Sequence, residues 1–154
     1  MSTVREMLRI KGHDVWSIGC DVTVYDALKL MAERNIGAVL VMDADRLGGI
    51  LSERDYARKV VLQGKSATDT SVGEIMTERV VYVRPEQSTE ECMALMTDKR
   101  VRHLPVLEDE RVIGVISIGD VVKAIISQQE FMIEQLEQYI TGTPYQSRPF
   151  ANSV

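Results

Sequence analysis

The residues of this sequence most able to do chemistry are two copies of the pattern Gly-x-x-Ser-x-x-Asp. The first copy runs from Gly49 through Ser52 to Asp55, and the second has Ser117 and Asp120 at the same spacing after a glycine. A helix that begins at such a serine offers free N–H groups and a positive dipole end, which favour a phosphate. A carboxylate one turn on can accept two hydrogen bonds from a ribose diol. The glycine would let a ligand or backbone approach closely, so the pattern suggests a nucleotide site.

The same pattern also has a simpler explanation as the start of a helix. Ser-x-x-Asp forms a capping box when the serine hydroxyl accepts from the aspartate N–H and the carboxylate accepts from the serine N–H. Capping alone leaves the upstream glycine unexplained in both copies. A cap alone and a cap that also holds a ligand are therefore both open interpretations.

Both patterns belong to a longer internal repeat. Residues 15–56 align without a gap to residues 80–121, with Arg46 opposite Arg111. Self-similarity at a fixed period indicates a duplicated unit, and such units pack against their neighbouring copies. A shared, two-sided cleft between the copies is expected.

Each copy shows the same predicted order of strand, helix, strand, strand and helix. Short runs of β-forming residues at 15–18 and 80–83 predict the first strands. Thr23 and Ser88, each three residues before a carboxylate, predict the start of an amphipathic helix. Two strands joined by an acidic turn follow in each copy, over 38–42 with 49–51 and over 104–107 with 112–116. We therefore expect an α+β fold, with two units packed sheet to sheet about a pseudo-twofold axis.

The repeat also sets the predicted domain boundaries. Residues 1–64 would form the first repeat with a leading helix, 65–70 a polar linker and 71–127 the second repeat. Residues 3–7 are similar to residues 71–75, so each copy is expected to own a short leading helix.

The last predicted helix runs past the repeat, through an extension over 128–140. Apolar residues at a/d-like spacing there would pack on the same module, on a second subunit or on another protein. The segment 141–154 contains two prolines and small polar residues and is expected to be disordered.

Composition narrows the class of protein. The chain has 154 residues and 45% hydrophobic content, which fits one domain or two small halves with a shared core. Its net charge of −5 gives no global attraction to nucleic acid or an anionic membrane. Cys20 and Cys92 fit no metal spacing, and no apolar run or signal peptide indicates a membrane or export. A soluble, cytoplasmic protein is expected.

From about residue 4 to 127 the chain resembles a tandem pair of cystathionine β-synthase (CBS) domains, or Bateman module, of the free-standing bacterial signalling type. Three features carry the resemblance: the run from Val80 to Pro85 before a capped helix, the run from Arg102 to Val106, and Gly-x-x-Ser-x-x-Asp in both copies. The resemblance implies that adenine nucleotides, AMP, ADP or ATP, and sometimes NAD or S-adenosylmethionine, bind in clefts between the repeats.

Carried over position by position, the resemblance assigns roles to individual residues. Asp55 and Asp120 would hold ribose hydroxyls, and Ser52 and Ser117 would meet phosphate. The adenine pockets would be lined by the ends of the first strands and the starts of the second strands: Ser17, Ile18, Tyr82, Val83, Ala38 and His103.

The two copies differ where ligand contact is expected. Arg54 lies between serine and aspartate in the first copy only, and its planar guanidinium suits phosphate. Arg102, His103 and Pro105 face a glycine, an alanine and a leucine in the first copy. These four residues are therefore further ligand candidates, and the two sites are expected to be unequal.

Plainer structural roles compete with ligand contact at several of these positions. The basic run that ends at His103 also fits a solvated helix end, and the histidine alone is as often structural as ligand-bound. Trp16 is expected in the core, because a strand aromatic is usually buried there. Tyr82 fits the core and base stacking equally well.

The function predicted from these features is a non-catalytic sensor without a catalytic cofactor. No nucleophile with an adjacent base, metal-ligand spacing or Walker-type glycine loop is recognisable. A bound adenine nucleotide or NAD would bias the arrangement of the repeats, and an unknown partner protein would read it. The resemblance also implies a homodimer. A structural dimerisation module whose Ser-x-x-Asp patterns only cap helices, or a nucleotide-processing enzyme, are the alternatives.

Overall fold

The computed structural model describes residues 2–142. The first half contains α1 (Val4–Lys11), β1 (Ser17–Ile18), α2 (Val24–Arg34), β2 (Ala38–Asp43), β3 (Arg46–Ser52) and α3 (Glu53–Tyr56), which continues as a π-helix over Ala57–Val61. The second half contains α4 (Val72–Ile75), α5 (Thr89–Lys99), β4 (His103–Glu108), β5 (Arg111–Ser117) and α6 (Ile118–Thr141). This order confirms the predicted α+β class and the long last helix. Of the tail predicted to be disordered, residues 143–154 lie outside the described range.

Each half builds one small sheet. β1 runs parallel to β2, with Ser17 paired to Leu40, and β2 and β3 form an antiparallel hairpin. β4 and β5 form the equivalent hairpin of the second half. Both hairpins have an irregularity at matching positions, after Val41 and after Val106. The duplicated sequence therefore produces a duplicated backbone geometry.

The first strand predicted for the second half, over 80–83, is reduced to a single bridge. Val83 pairs in parallel with Val106, and the residues before it are not in a strand. In the first half, the Leu40 N–H donates to the carbonyl of the residue before β1 at 3.2 Å. Pro105 occupies the position of Leu40 in the second half, and proline has no N–H to donate. The predicted full strand was wrong because its pairing partner lacks this donor.

The leading helices are exchanged between the halves. Met7 and Leu8 of α1 are buried in the core of the second half, together with Leu104 and Ile116. In the same way, Ile75 of α4 is buried in the core of the first half. Each copy therefore has a leading helix before it in the sequence but packs that helix into the other copy, which the sequence did not indicate.

Backbone hydrogen bonds at the start of each leading helix fix this exchange. The Val4 N–H donates to the Gln87 carbonyl at 2.8 Å, and the Val72 N–H donates to the Val22 carbonyl at 2.8 Å. The helices have eight and four residues, too few to be stable alone in water. Their burial in the opposite half stabilises them and interlocks the two halves.

Candidate functional site

Two clefts lie between the halves, one beside each Ser-x-x-Asp motif. Cleft 1, at the first motif, has a volume of about 470 Å³. Ser52, Arg54 and Asp55 of the first half line one side, and residues between 77 and 81 and from 100 to 103 line the other. A cleft of this size is in the range of small-molecule sites.

Cleft 2 is the counterpart at the second motif, with a volume of about 490 Å³. Ser117 and Asp120 of the second half line one side. Residues between 11 and 16 and from 35 to 38 line the other side. Each cleft thus takes one wall from each half, as the duplication predicts.

Both Ser-x-x-Asp motifs form complete capping boxes. Asp55 Oδ2 accepts from the Ser52 N–H and from Ser52 Oγ, each at 3.0 Å. Ser52 Oγ accepts from the Asp55 N–H at 3.1 Å. Asp120 Oδ2 accepts from the N–H and hydroxyl of Ser117 at 2.8 and 3.0 Å. Both motifs therefore have a structural role, and any ligand must bind to donors and acceptors that are not already paired within the capping boxes.

The two aspartates differ in what else they contact. Asp55 Oδ1 lies 3.1 Å from Lys59 Nζ and accepts from Thr77 Oγ1 at 3.3 Å. Asp120 instead pairs with Lys11, at the end of the exchanged helix α1, whose Nζ donates to Oδ2 and to a carbonyl of β5. Within residues 2–142 no donor reaches Asp120 Oδ1. That oxygen is therefore available to a ligand hydroxyl.

The same neighbours determine two pKa directions in cleft 2. Burial raises the pKa of Asp120, but hydrogen bonds from Lys11 and Ser117 outweigh it and leave the pKa below its ordinary value. Burial lowers the pKa of His103, and the charge of Lys11 lowers it further against the opposing effect of Asp120. The pKa of His103 therefore lies below its ordinary value, which favours the neutral ring at pH 7.

The structure brings most of the predicted ligand residues into the two clefts. Cleft 1 is lined by Ala38, Ser52, Arg54, Asp55, Arg102 and His103. Cleft 2 is lined by Ala38, His103, Ser117 and Asp120. Ala38 and His103 begin β2 and β4, and they line both clefts.

The other predicted ligand residues lie outside the lining of both clefts: Ser17, Ile18, Tyr82, Val83 and Pro105. Val83 is fully buried in the core of the second half. Trp16 and Val81 line the clefts in their place, because successive residues of an extended segment point to opposite sides. Trp16 also packs against the first core, and the Arg34 guanidinium lies 4.0 Å from its ring centroid.

Three basic residues that line the clefts were missed in the sequence: Lys11, Arg79 and Arg100. Lys11 lies eight residues after Thr3, and Arg79 lies eight residues after Ser71, the caps of the two leading helices. Aligning the two leading helices with each other would have shown that Lys11 and Arg79 occupy equivalent positions. Arg100 belongs to the basic run whose plainer explanation was a solvated helix end.

The motif glycines face the exchanged helices and line neither cleft. A Cβ at Gly114 would lie 2.5 Å from Leu8 Cδ2, and a Cβ at Gly49 would lie 2.7 Å from Met76 Sδ. Met76 directly follows α4, the counterpart of α1. The sequence left open whether a ligand or another part of the chain approaches these glycines, and packing of the leading helices explains both.

Two further searches cover the part of the chain that the structure describes. No group of His, Cys, Asp and Glu side chains there is placed to hold a metal ion. No helix there combines the length and apolar character that a membrane span needs.

This fold and its site define a class of protein: an internally duplicated α+β module with a cleft at each motif between its halves. The family model for the CBS domain matches the chain twice, over residues 4–62 and 72–127. The chain therefore belongs to the CBS-domain family and contains a tandem CBS pair, a regulatory type of module.

Individual relatives agree with this assignment. The CBS domain-containing protein CBSX3, mitochondrial, of Arabidopsis thaliana is 42% identical over 151 residues, covering 92% of this chain and 73% of that protein. A solved signal-transduction protein with CBS domains from Burkholderia ambifaria is 55% identical, with a TM-score of 0.80, covering 84% of this chain and 98% of that one. The CBS domain pair of protein MJ0100, solved with 5′-methylthioadenosine and S-adenosyl-L-methionine, has a TM-score of 0.74 over 83% of this chain and 98% of that one. At 22% identity, it shares the fold alone.

Proposed function

We propose that this CBS pair is a non-catalytic sensor that binds an adenosine-containing ligand, AMP, ADP, ATP or NAD, in the clefts between its halves. The observation that carries the proposal is that each cleft combines the aspartate of a capping box from one half with a wall from the other half. A ligand that contacts both halves stabilises one arrangement of them, and a partner protein can read the difference. The adenosine derivatives bound to the MJ0100 pair support the choice of ligand class.

The contacts in the clefts refine the proposed roles of individual residues. Asp55 and Asp120 accept ribose hydroxyls, and Asp120 is the better placed because its Oδ1 is free. The hydroxyls of Ser52 and Ser117 already donate to these aspartates. Phosphate contact therefore falls first to arginine, with Arg54 as the nearest to a capping box.

Calorimetric titration and thermal shift with AMP, ADP, ATP, NAD and S-adenosylmethionine test this proposal. A ligand that binds only the folded chain raises its melting temperature. Asp55→Ala and Asp120→Ala should lower the melting temperature through the lost cap and should also weaken binding. The proposal fails if no ligand binds, or if both variants bind as the wild type does.

A matched control separates loss of a cap from loss of a ligand contact. Glu74 accepts from the Ser71 N–H at 2.7 Å and from its hydroxyl at 3.1 Å, which is the same box outside both clefts. Glu74→Ala should therefore lower stability and leave ligand affinity unchanged.

A purely structural dimerisation module is the second candidate. Both aspartates are explained as caps without a ligand, and α6 exposes a row of apolar side chains: Phe131, Met132, Ile133, Leu136, Tyr139 and Ile140. A homodimer through α6 is compatible with either function. If the aspartate variants lose stability yet bind normally, capping is their whole role.

A further inference from the structure

The two clefts carry opposite net charge. The lining of cleft 1 contains four arginines and two carboxylates: Arg54, Arg79, Arg100 and Arg102 with Glu53 and Asp55. The lining of cleft 2 contains one lysine and two carboxylates: Lys11 with Asp14 and Asp120. With His103 neutral, full charges at pH 7 give +2 in cleft 1 and −1 in cleft 2.

Glu53 and Asp55 share the lining of cleft 1, but no ion pair within residues 2–142 uses an arginine of this cleft. Among the described residues, the Arg54 guanidinium donates to the Arg100 carbonyl at 3.0 Å and to no other acceptor. Four positive side chains around one cleft repel each other, and a bound polyanion would remove that repulsion.

The backbone at Arg100 adds an independent sign of a binding role. Arg100 directly follows α5 and has the left-handed conformation with φ 54°, where the first half has Asn35 after α2 with φ 53°. Asparagine adopts this conformation readily, whereas a long side chain such as arginine does so at a cost. The chain thus keeps an arginine at a strained position that lines cleft 1, and such strain clusters at ligand sites.

Lys11, the one cationic side chain in the lining of cleft 2, is already paired. Lys11 Nζ is bound to Asp120 and to the Val115 carbonyl at 2.6 Å. α6 directs its positive dipole end towards this cleft, but the Asp120 carboxylate already lies at that end. A phosphate here would have to displace Lys11 or approach two carboxylates. An uncharged sugar instead finds a free acceptor in Asp120 Oδ1.

We infer that the clefts take ligands of different charge. Cleft 1 holds a nucleoside di- or triphosphate through its four arginines, and cleft 2 holds a nucleoside without phosphate through Asp120 beside Trp16. This inference rests on the proposed function and assigns a ligand class to each cleft.

Calorimetry of the full chain with ATP and with adenosine tests the assignment. Arg79→Gln combined with Arg100→Gln removes two positive charges of cleft 1, and Asp120→Asn alters cleft 2. The matched control is Arg46→Gln with Arg111→Gln, which changes two exposed arginines at the hairpin ends, away from both clefts.

We expect the cleft 1 double variant to raise the Kd of ATP by about a hundredfold, at about tenfold for each lost charge-assisted hydrogen bond, and to leave adenosine binding unchanged. Asp120→Asn should weaken adenosine by about tenfold and leave ATP unchanged. Added salt should weaken ATP binding more than adenosine binding, because only the polyphosphate is held by charge. The control should bind both ligands as the wild type does.

The outcomes separate this inference from the proposed function. If the arginine variant or Asp120→Asn weakens both ligands equally, the two share a cleft, and only the assignment by charge is overturned. It is also overturned if the control loses as much ATP affinity as the cleft 1 variant. If the wild type binds neither ATP nor adenosine, the inference falls together with the sensor function for these ligands.

Discussion

Replacement of Gly114 by alanine should weaken the packing of α1 into the second half. The new Cβ would lie 2.5 Å from Leu8 Cδ2, 3.0 Å from Cδ1 and 3.3 Å from Cγ. Leu8 is fully buried, so its side chain has no open space to move into. Overpacking of this kind costs about 1–3 kcal/mol. We therefore expect the free energy of unfolding to fall by that amount.

A double-mutant cycle with Leu8→Ala isolates this contact. Leu8→Ala alone removes buried methyl groups and should cost about 2–5 kcal/mol. The double variant lacks the branched end of the leucine, so the alanine methyl at position 114 has room and the cost of Gly114→Ala should vanish. The expected coupling energy is about 1–3 kcal/mol. Urea unfolding of the four proteins at pH 7 measures it.

Gly119→Ala is the matched control for this cycle. The nearest atom to its new Cβ is Ser117 Oγ at 3.6 Å, and the position lies within α6. Alanine is favoured over glycine in a helix by about 0.5–1 kcal/mol, so this variant should be at least as stable as the wild type. Packing of α1 against Gly114 is refuted if Gly114→Ala behaves like Gly119→Ala, or costs the same with and without Leu8.

Three other predictions concern titration and assembly. Because burial lowers the pKa of His103, the unfolded chain binds a proton on this histidine at a higher pH than the folded chain does, and stability should fall as the pH drops below about 6.5. His103→Gln should reduce this pH dependence of the free energy of unfolding, measured in urea. Despite burial, hydrogen bonds hold the pKa of Asp120 low, so the stability that Asp120 contributes is complete above about pH 4 and is lost as the pH falls through the lower pKa of the folded state. Lys11→Met should reduce this contribution, and an unchanged dependence of stability on pH would contradict the role of Lys11. Ile133→Glu with Leu136→Glu should convert a homodimer to monomers in sedimentation without lowering the melting temperature, since these side chains are 48% and 57% exposed. An unchanged oligomeric state would exclude α6 as the dimer interface.

Local signals made the order of elements predictable from the sequence. The start of α6 is an example, because the Ser117 hydroxyl and the Asp120 carboxylate cap it through contacts only three residues apart. The helical spacing of Val24, Ala27 and Met31 likewise predicts the buried face of α2. These features depend on near neighbours in the chain, which a sequence displays directly.

Features that depend on distant partners were not predictable in the same way. Leu8 is separated from Gly114 by most of the chain, and nothing near either residue indicates their contact. The lost strand before Val83 follows from Pro105, which removes a donor on the neighbouring strand. In both cases the deciding residue lies in another element, so local propensity could not show the result.

The candidate site was predictable in its position and less so in its charge. Asp55 and Arg54 lie within the Ser-x-x-Asp motif of the first copy, and both line cleft 1. Lys11 and Arg79 lie in leading segments that align in a different register from the repeat, so their approach to the clefts follows only from the exchange of α1 and α4. Because these two residues each add one positive charge to their cleft, the charge difference between the clefts comes from Arg54, Arg100 and Arg102.

A crystal structure of the chain grown with ATP and adenosine tests most directly whether ligands bind between the halves. We predict adenosine-type ligands in the clefts between the halves, with the polyphosphate against Arg54, Arg79, Arg100 and Arg102 and the nucleoside ribose on Asp120 Oδ1. A nucleotide bound outside both clefts, or clefts that stay empty at saturating ligand, would contradict the sensor function.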